Sequence, residues 1–206
     1  SGRFAYQGRI ARRFRRPYAM HTRGHNTILI DGRGQGGDPE VASDPQEKGT
    51  HRQITEDFDF ARGSWTDYKG LEGNLRHRRS LLYLRGEGWI VVDRIETDRP
   101  RRLRPLWHFH PDCAVEITDR TVRTDNDRGN LSIAPLGAVE WEVELIEGRD
   151  DPHPQGWYSE DYGEYEPAPC AAYTGRIEAT ATFAWLLWPA EGTGHPPKAT
   201  LRNVEE

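Results

Sequence analysis

The residues of this chain best suited to chemistry are imidazoles placed beside apolar runs. His25-Asn26 stands immediately before Thr27-Ile28-Leu29-Ile30, and Asp31-Gly32 follows. A β-branched, aliphatic run left through Asp-Gly describes a short buried strand whose exit turns where a positive φ is tolerated. An imidazole at the mouth of that strand can ligate a metal, or it can cap the strand end by bonding a backbone carbonyl. Asn26 beside it is a candidate ligand-binding side chain. His108-Phe109-His110 offers a second pair, because residues i and i+2 of a strand share a face and could share a metal or an anionic ligand. No carboxylate or cysteine stands at a matching spacing, and a polar outer face accounts for both rings equally well. His77-Arg78-Arg79 opens a third apolar stretch, where His77 and Arg79 can tie strands together or meet an anion.

These groups need strands to hold them, and the chain supplies strand patterns almost throughout. Residues 54–61 alternate Ile54, Glu56, Phe58 and Phe60 with Thr55, Asp57 and Asp59, predicting one strand, and residues 63–73 read as a turn-rich connector. Residues 79–85 and 89–95 are apolar runs separated by Gly86-Glu87-Gly88, which predicts a hairpin. From Arg102 to His110, Leu103, Pro105, Trp107 and Phe109 share one face, and Arg102, Arg104, Leu106, His108 and His110 share the other. Shorter strands are expected at 115–117, 121–123 and 131–134. Val139, Trp141, Val143 and Leu145 alternate with Glu140, Glu142 and Glu144, and after a loop at 148–169 a long strand is expected at 177–187. No helical period is sustained and no repeat is present. The predicted class is all-β, an antiparallel sandwich with little helix, packed over Trp107, Phe109, Trp141, Val143, Phe183 and Trp185.

A chain of 206 residues suits one sandwich domain, 1–206, and its 7 Trp, 8 Tyr and 6 Phe supply bulk for a core despite a charged fraction of 30%. The net charge of −5 is unevenly spread: residues 1–35 hold eight Arg against one Asp, and residues 136–166 hold ten Asp or Glu against Arg149. A basic edge suits an anionic ligand, although solvated faces of opposite sign give the same pattern. Arg15 and Arg16 belong to that edge. A sequence pI near 5.9 and the lack of a reader motif argue against nucleic acid. No apolar run approaches the roughly 20 residues that span a bilayer. Cys113 and Cys170 have no metal spacing; they could pair in an exported protein. The aromatic loop around Trp157 can stack on sugar rings or fold onto the sandwich. The start at Ser1-Gly2 reads as cut.

HNTILIDGRGQ at 25–35, HRRSLLYLRGEGWIVVDRI at 77–95 and HFHPDC at 108–113 together resemble the heparinase II/III-like family of polysaccharide lyases. The resemblance extends from about Gly2 to residue 188. It implies the C-terminal β-sandwich, supersandwich-like, of an enzyme that also carries a helical toroid upstream, is exported to the periplasm or beyond, and cleaves uronate-containing anionic polysaccharide by β-elimination. That chemistry removes the proton at C5, α to a carboxylate, and expels the oxygen at C4, so the carboxylate must be neutralised and a base set against the proton.

For particular residues the resemblance implies less than a complete site. A family tyrosine used in proton transfer falls at Ala11, leaving Tyr6 and Tyr18 as the nearest phenols, with at most one catalytic. With Arg15 and Arg16 from the basic edge and Trp157 from the aromatic loop, Asn26 of the His-Asn pair and His77 and Arg79, similar to a family His-Arg element, complete the substrate-binding candidates. His25 corresponds to the third ligand of a structural zinc, whose remaining donors fall outside this sequence; one imidazole cannot hold zinc tightly. The rival reading is a noncatalytic sandwich that binds sugar or braces another domain. A glycoside hydrolase would require a pair of carboxylates, and no distinctive pair is evident.

Overall fold

The computed structural model describes residues 18–36, 51–68, 70–160, 164–191 and 197–202. Among them the strands are β1 (Ile28–Ile30), β2 (His51–Ile54), β3 (Phe58–Trp65), β4 (Leu75–Leu84), β5 (Gly88–Thr97), β6 (Arg101–His108), β7 (Val115–Thr118), β8 (Thr121–Thr124), β9 (Asn130–Leu136), β10 (Glu142–Ile146), β11 (Trp157–Tyr158), β12 (Glu166–Pro167), β13 (Cys170–Ile177) and β14 (Ala181–Ala190). All pairings are antiparallel. Eight strands form a large sheet in the order β2-β3-β4-β5-β14-β9-β8-β7, four form a small sheet in the order β1-β6-β13-β10, and β11 pairs with β12. Among the described residues helical geometry is confined to a turn at 18–20 and a 3-10 turn at Thr22–Gly24.

The two main sheets bury between them the faces that alternation predicts. Leu103 and Trp107 of β6, Ala171, Tyr173 and Ile177 of β13, Val91 and Ile95 of β5, and Phe183 and Trp185 of β14 make one core with Trp141. Trp141, Phe183 and Trp185 are buried as expected, whereas Phe109 and Val143 pack at its margin. Trp185 is the hub: its ring centroid lies 5.7 Å from Trp107, 5.4 Å from Trp141, 4.8 Å from Tyr173 and 6.1 Å from Phe183. Most of these pairs are edge-on, the arrangement the ring quadrupoles favour.

The small sheet is covered on its far side too. Leu29, Leu106, Ile146, Cys170 and Ala172 form a second buried cluster there. Its cover comes from the turns at 18–24 and the loop at 149–158: the Tyr18 hydroxyl meets the Trp157 carbonyl, and the Gln155 amide reaches Cys170 Sγ. β1 is therefore buried at all three positions, which explains an unbroken aliphatic run in place of an alternating one.

Several expected boundaries are corrected. Residues 54–61 are a hairpin, since β2 ends at Ile54 and β3 begins at Phe58; the Thr55 hydroxyl closes the turn by bonding both the N–H and the carbonyl of Phe58 at 3.0 Å. β3 runs on to Trp65, into the expected connector. Val139 and Trp141 precede β10 instead of lying in it. The run expected at 177–187 is two strands, with β13 in the small sheet ending at Ile177 and β14 in the large sheet beginning at Ala181. The loop at 148–169 contains β11 and β12.

Candidate functional site

The candidate site lies where β1 begins and β6 ends. β1 pairs with β6 so that Ile28 faces Pro105, and the Leu106 N–H bonds the Thr27 carbonyl at 2.9 Å, carrying the ladder one residue outward. That registers Asn26 against His108. Asn26 Oδ1 accepts from the His108 backbone N–H at 2.8 Å and lies 3.1 Å from His108 Nδ1. With its oxygen engaged twice, the Asn26 side chain offers its NH2 as the donor for a ligand. His25 is exposed, and its Nε2 donates to the Ala19 carbonyl at 2.9 Å, which leaves Nδ1 as the ring's lone-pair nitrogen.

The His108 ring is held from three sides. Beyond Asn26, its Nε2 lies 2.9 Å from the Arg23 carbonyl and 3.0 Å from Gln155 Nε2, and Gln155 Nε2 is itself 2.9 Å from the Arg23 carbonyl. Both ring nitrogens face an acceptor, Nδ1 the Asn26 Oδ1 and Nε2 the Arg23 carbonyl, so the neutral ring with its single N–H can donate to only one of them at a time, while Gln155 donates to the Arg23 carbonyl. Burial pushes the ring's pKa down to about 4, against the opposing effect of the Arg23 carbonyl. A ring titration followed by NMR is expected to show a midpoint near 4. Because the folded value lies below the unfolded one, near 6.5, stability is full above that pH and declines as pH falls from about 6.5 to about 4. A midpoint at 6 or above would show that the ring is not desolvated.

Positive charge gathers on the same side. Arg104 projects from β6 on the face that carries His108, with Nη2 2.5 Å from Glu144 and Nη1 3.0 Å from Thr174. Arg149 reaches the same carboxylate at 3.6 Å. Two guanidiniums, of Arg104 and Arg149, thus share one glutamate, and the Arg23 pKa is lowered by burial and then by the charges of those two arginines, which places its guanidinium within their field. Arg23 comes from the 3-10 turn and Arg149 and Gln155 from a loop, and none of the three was singled out by sequence. Arg104 was legible, since alternation puts it on the His108 face.

The other candidates fall in different places. Tyr18 is buried, its hydroxyl turned onto the Trp157 backbone and pushed up to about 12 by burial. Trp157 is half-buried in the cover, with its indole N–H on the Arg149 carbonyl. β6 ends at His108, so alternation does not extend to His110, which packs edge-on against Tyr158 at 4.9 Å and lies 3.4 Å from Asp112. Cys113 and Cys170 are both free thiols, Cys170 fully buried. Tyr6, Arg15 and Arg16, with Ala11, lie outside the described residues. No group of three or more His, Cys, Asp and Glu side chains able to hold a metal occurs among the described residues, which therefore do not by themselves fit a zinc ion.

His77 and Arg79 point between the sheets. Asp93 of β5, fully buried, accepts from His77 Nε2 at 2.7 Å, from Arg79 through Nε at 2.7 Å and Nη2 at 2.9 Å, and from the Trp185 indole at 3.1 Å. The Tyr68 hydroxyl lies 3.0 Å from His77 Nδ1. Burial would raise the Asp93 pKa, but the Arg79 charge and the bond and charge of His77 outweigh it and hold the carboxyl well below the usual range. Arg79 also donates Nη1 to the Asn26 carbonyl, so this network grips the site from behind.

The comparisons agree with this architecture. A mutant of heparan sulfate lyase HepC from Pedobacter heparinus superposes with a TM-score of 0.72 at 22% identity, over 94% of this chain and 28% of that one. The unmutated HepC gives 0.72 at 21% identity over the same shares, and the heparinase III that is the BT4657 gene product gives 0.65 at 14% over 92% and 27%. The chain thus spans under a third of the length of these enzymes, and at such identities the likeness establishes the fold. Among curated proteins none matches. The family model described as "Heparinase II/III-like, C-terminal" matches residues 1–186, and the chain belongs to that family.

Proposed function

We propose that this chain is the β-sandwich part of a polysaccharide lyase that cleaves uronate-containing polysaccharide by β-elimination, acting with a helical toroid that precedes it in an exported parent protein. Family membership supports the lyase chemistry. The observation that carries the reading is the cationic rim, in which Arg104 and Arg149 share Glu144 and Arg23 lies within the field of both, with the fixed Asn26 amide on the same end of the sheet. A uronate loses its C5 proton only when its carboxylate is neutralised, and preset cations and amide donors supply that without reorganising. The sandwich then forms one wall of the cleft, and the proton-abstracting base comes from the toroid. Zinc is part of the proposal as a structural ion with His25 Nδ1 as one donor and its other donors outside the described residues; a ring nitrogen opposite a carbonyl-bonded N–H suits that role.

The parent protein, given a uronate polysaccharide, is expected to release products with a C4–C5 double bond, read by ultraviolet absorbance, while this chain alone releases none. Arg23→Gln in the parent is expected to lower kcat/KM by about tenfold, the loss of one charge-assisted contact. Chain scission without the double bond would sink the lyase reading, and binding without scission would leave a sugar-binding module. Metal analysis of the same parent is expected to find zinc, reduced in His25→Ala. Equal zinc in both, or none, would refute the ligand role.

A further inference from the structure

The outer face of the large sheet, turned away from the small sheet, carries a second cationic feature. A groove of about 1490 Å³ crosses the strands there, floored by Arg62 of β3, Arg78 and Ser80 of β4, Arg94 of β5 and Thr182 of β14, with Arg202 of the C-terminal stretch on its wall. Sheet register makes the charges adjacent: Arg78 lies directly opposite Arg94, and Arg62 opposite Ser80. Like charges opposite one another on neighbouring strands repel. Glu96 is shared between the pair, 3.0 Å from Arg94 and 4.0 Å from Arg78, and is the carboxylate that the described residues place against them. Arg78 Nε is buried and has no hydrogen-bond partner among the described residues. The Ser80 and Thr182 hydroxyls alternate with the guanidiniums, and Arg94 touches Thr182 Oγ1 at 3.4 Å.

We propose that this groove is a second binding site for an acidic polysaccharide, separate from the His25–Asn26 rim, anchored by Arg78 and Arg94 and extended by Arg62. The proposal rests on the reading of the substrate as an anionic sugar chain. Guanidiniums bind carboxylate and sulfate groups in paired, planar fashion, and hydroxyls suit the sugar hydroxyls between them. A polymer bound here as well as at the rim would be retained through successive cleavages, since a second contact on one ligand forms intramolecularly.

Binding of a heparin hexasaccharide and of an oligogalacturonate of equal length is measured on this chain at several salt concentrations. The two arms separate sulfate from carboxylate recognition. Tighter, salt-sensitive binding of at least one is expected, and Arg78→Gln/Arg94→Gln is expected to weaken it at least tenfold with an unchanged or raised melting temperature, because the replacements also remove repulsion. Arg23→Gln, at the rim, is expected to leave the groove's share of binding intact. Retention of affinity within twofold in the double variant overturns the proposal. So does failure of both oligosaccharides to bind, or equally tight binding of inorganic sulfate or of an oligonucleotide of matched charge. Formation of unsaturated product by the parent is independent of these outcomes, so the groove and the lyase reading fail separately.

Discussion

Replacing Asp93 with alanine is expected to lower the unfolding free energy by about 3–5 kcal/mol, the cost of stripping one partner from a buried ion pair. Asp93 is fully buried and receives four donated hydrogen bonds, from His77, twice from Arg79, and from Trp185. Alanine would leave those donors facing each other, with Arg79 charged and mostly buried. Asp93→Asn retains the shape but turns an NH2 toward groups that are themselves donors, so it is expected to destabilise too, by less. The acid dependence has a definite direction. With the folded pKa below the unfolded value, near 3.9, the carboxylate's stabilisation is complete above about pH 5 and is lost as pH falls below 4 toward the folded value. Urea midpoints of wild type and Asp93→Ala should therefore converge in acid; parallel curves down to pH 2 would show that the ion pair contributes nothing.

Trp185→Ala is expected to cost about 3–5 kcal/mol as well, by a different cause, the cavity left when a fully buried indole is removed. Four aromatic rings border the space, and they belong to three strands in two sheets and to the segment before β10, so no single side chain can relax into it. Trp185→Phe isolates the polar part: much of the packing stays, and Asp93 Oδ2 loses one donor at a cost of about 1–3 kcal/mol. Since Trp185 and Asp93 are bonded, the double variant Asp93→Asn/Trp185→Phe should fall short of the sum of its parts. Strict additivity in denaturant unfolding would mean that the indole N–H is energetically idle.

Much of this was legible in the sequence, for reasons that can be named. Asp31 and Gly32 adopt φ of 48° and 74°, as an Asp-Gly exit requires, and alternation assigned every residue from Leu103 to His108 to its face. The β2–β3 turn escaped because Thr55-Glu56-Asp57 contains neither Gly nor Pro and is closed by a threonine hydroxyl. β13 escaped because Cys170-Ala171-Ala172 lacks bulk and Gly175 interrupts it. A Cβ at Gly175 would come within 2.6 Å of the Trp141 ring, so the glycine is where the indole lies against the strand. At the site, His25, Asn26 and His108 could be picked out from their strand positions. Gln155 could not, because it meets Arg23 from 132 residues away through loops that carry no period.

The bond from Arg79 to the Asn26 carbonyl has a kinetic consequence. Segments at the mouths of binding sites commonly open by local fluctuation at little free-energy cost. Here the rim is fastened to a guanidinium whose other nitrogens lie on Asp93, so the donor that holds Asn26 is itself fixed by a carboxylate in the sheet interior. Opening of the rim then has to break a charge-assisted bond whose donor is anchored in the core, and backbone amides next to it are expected to exchange with solvent more slowly than those of an untethered segment.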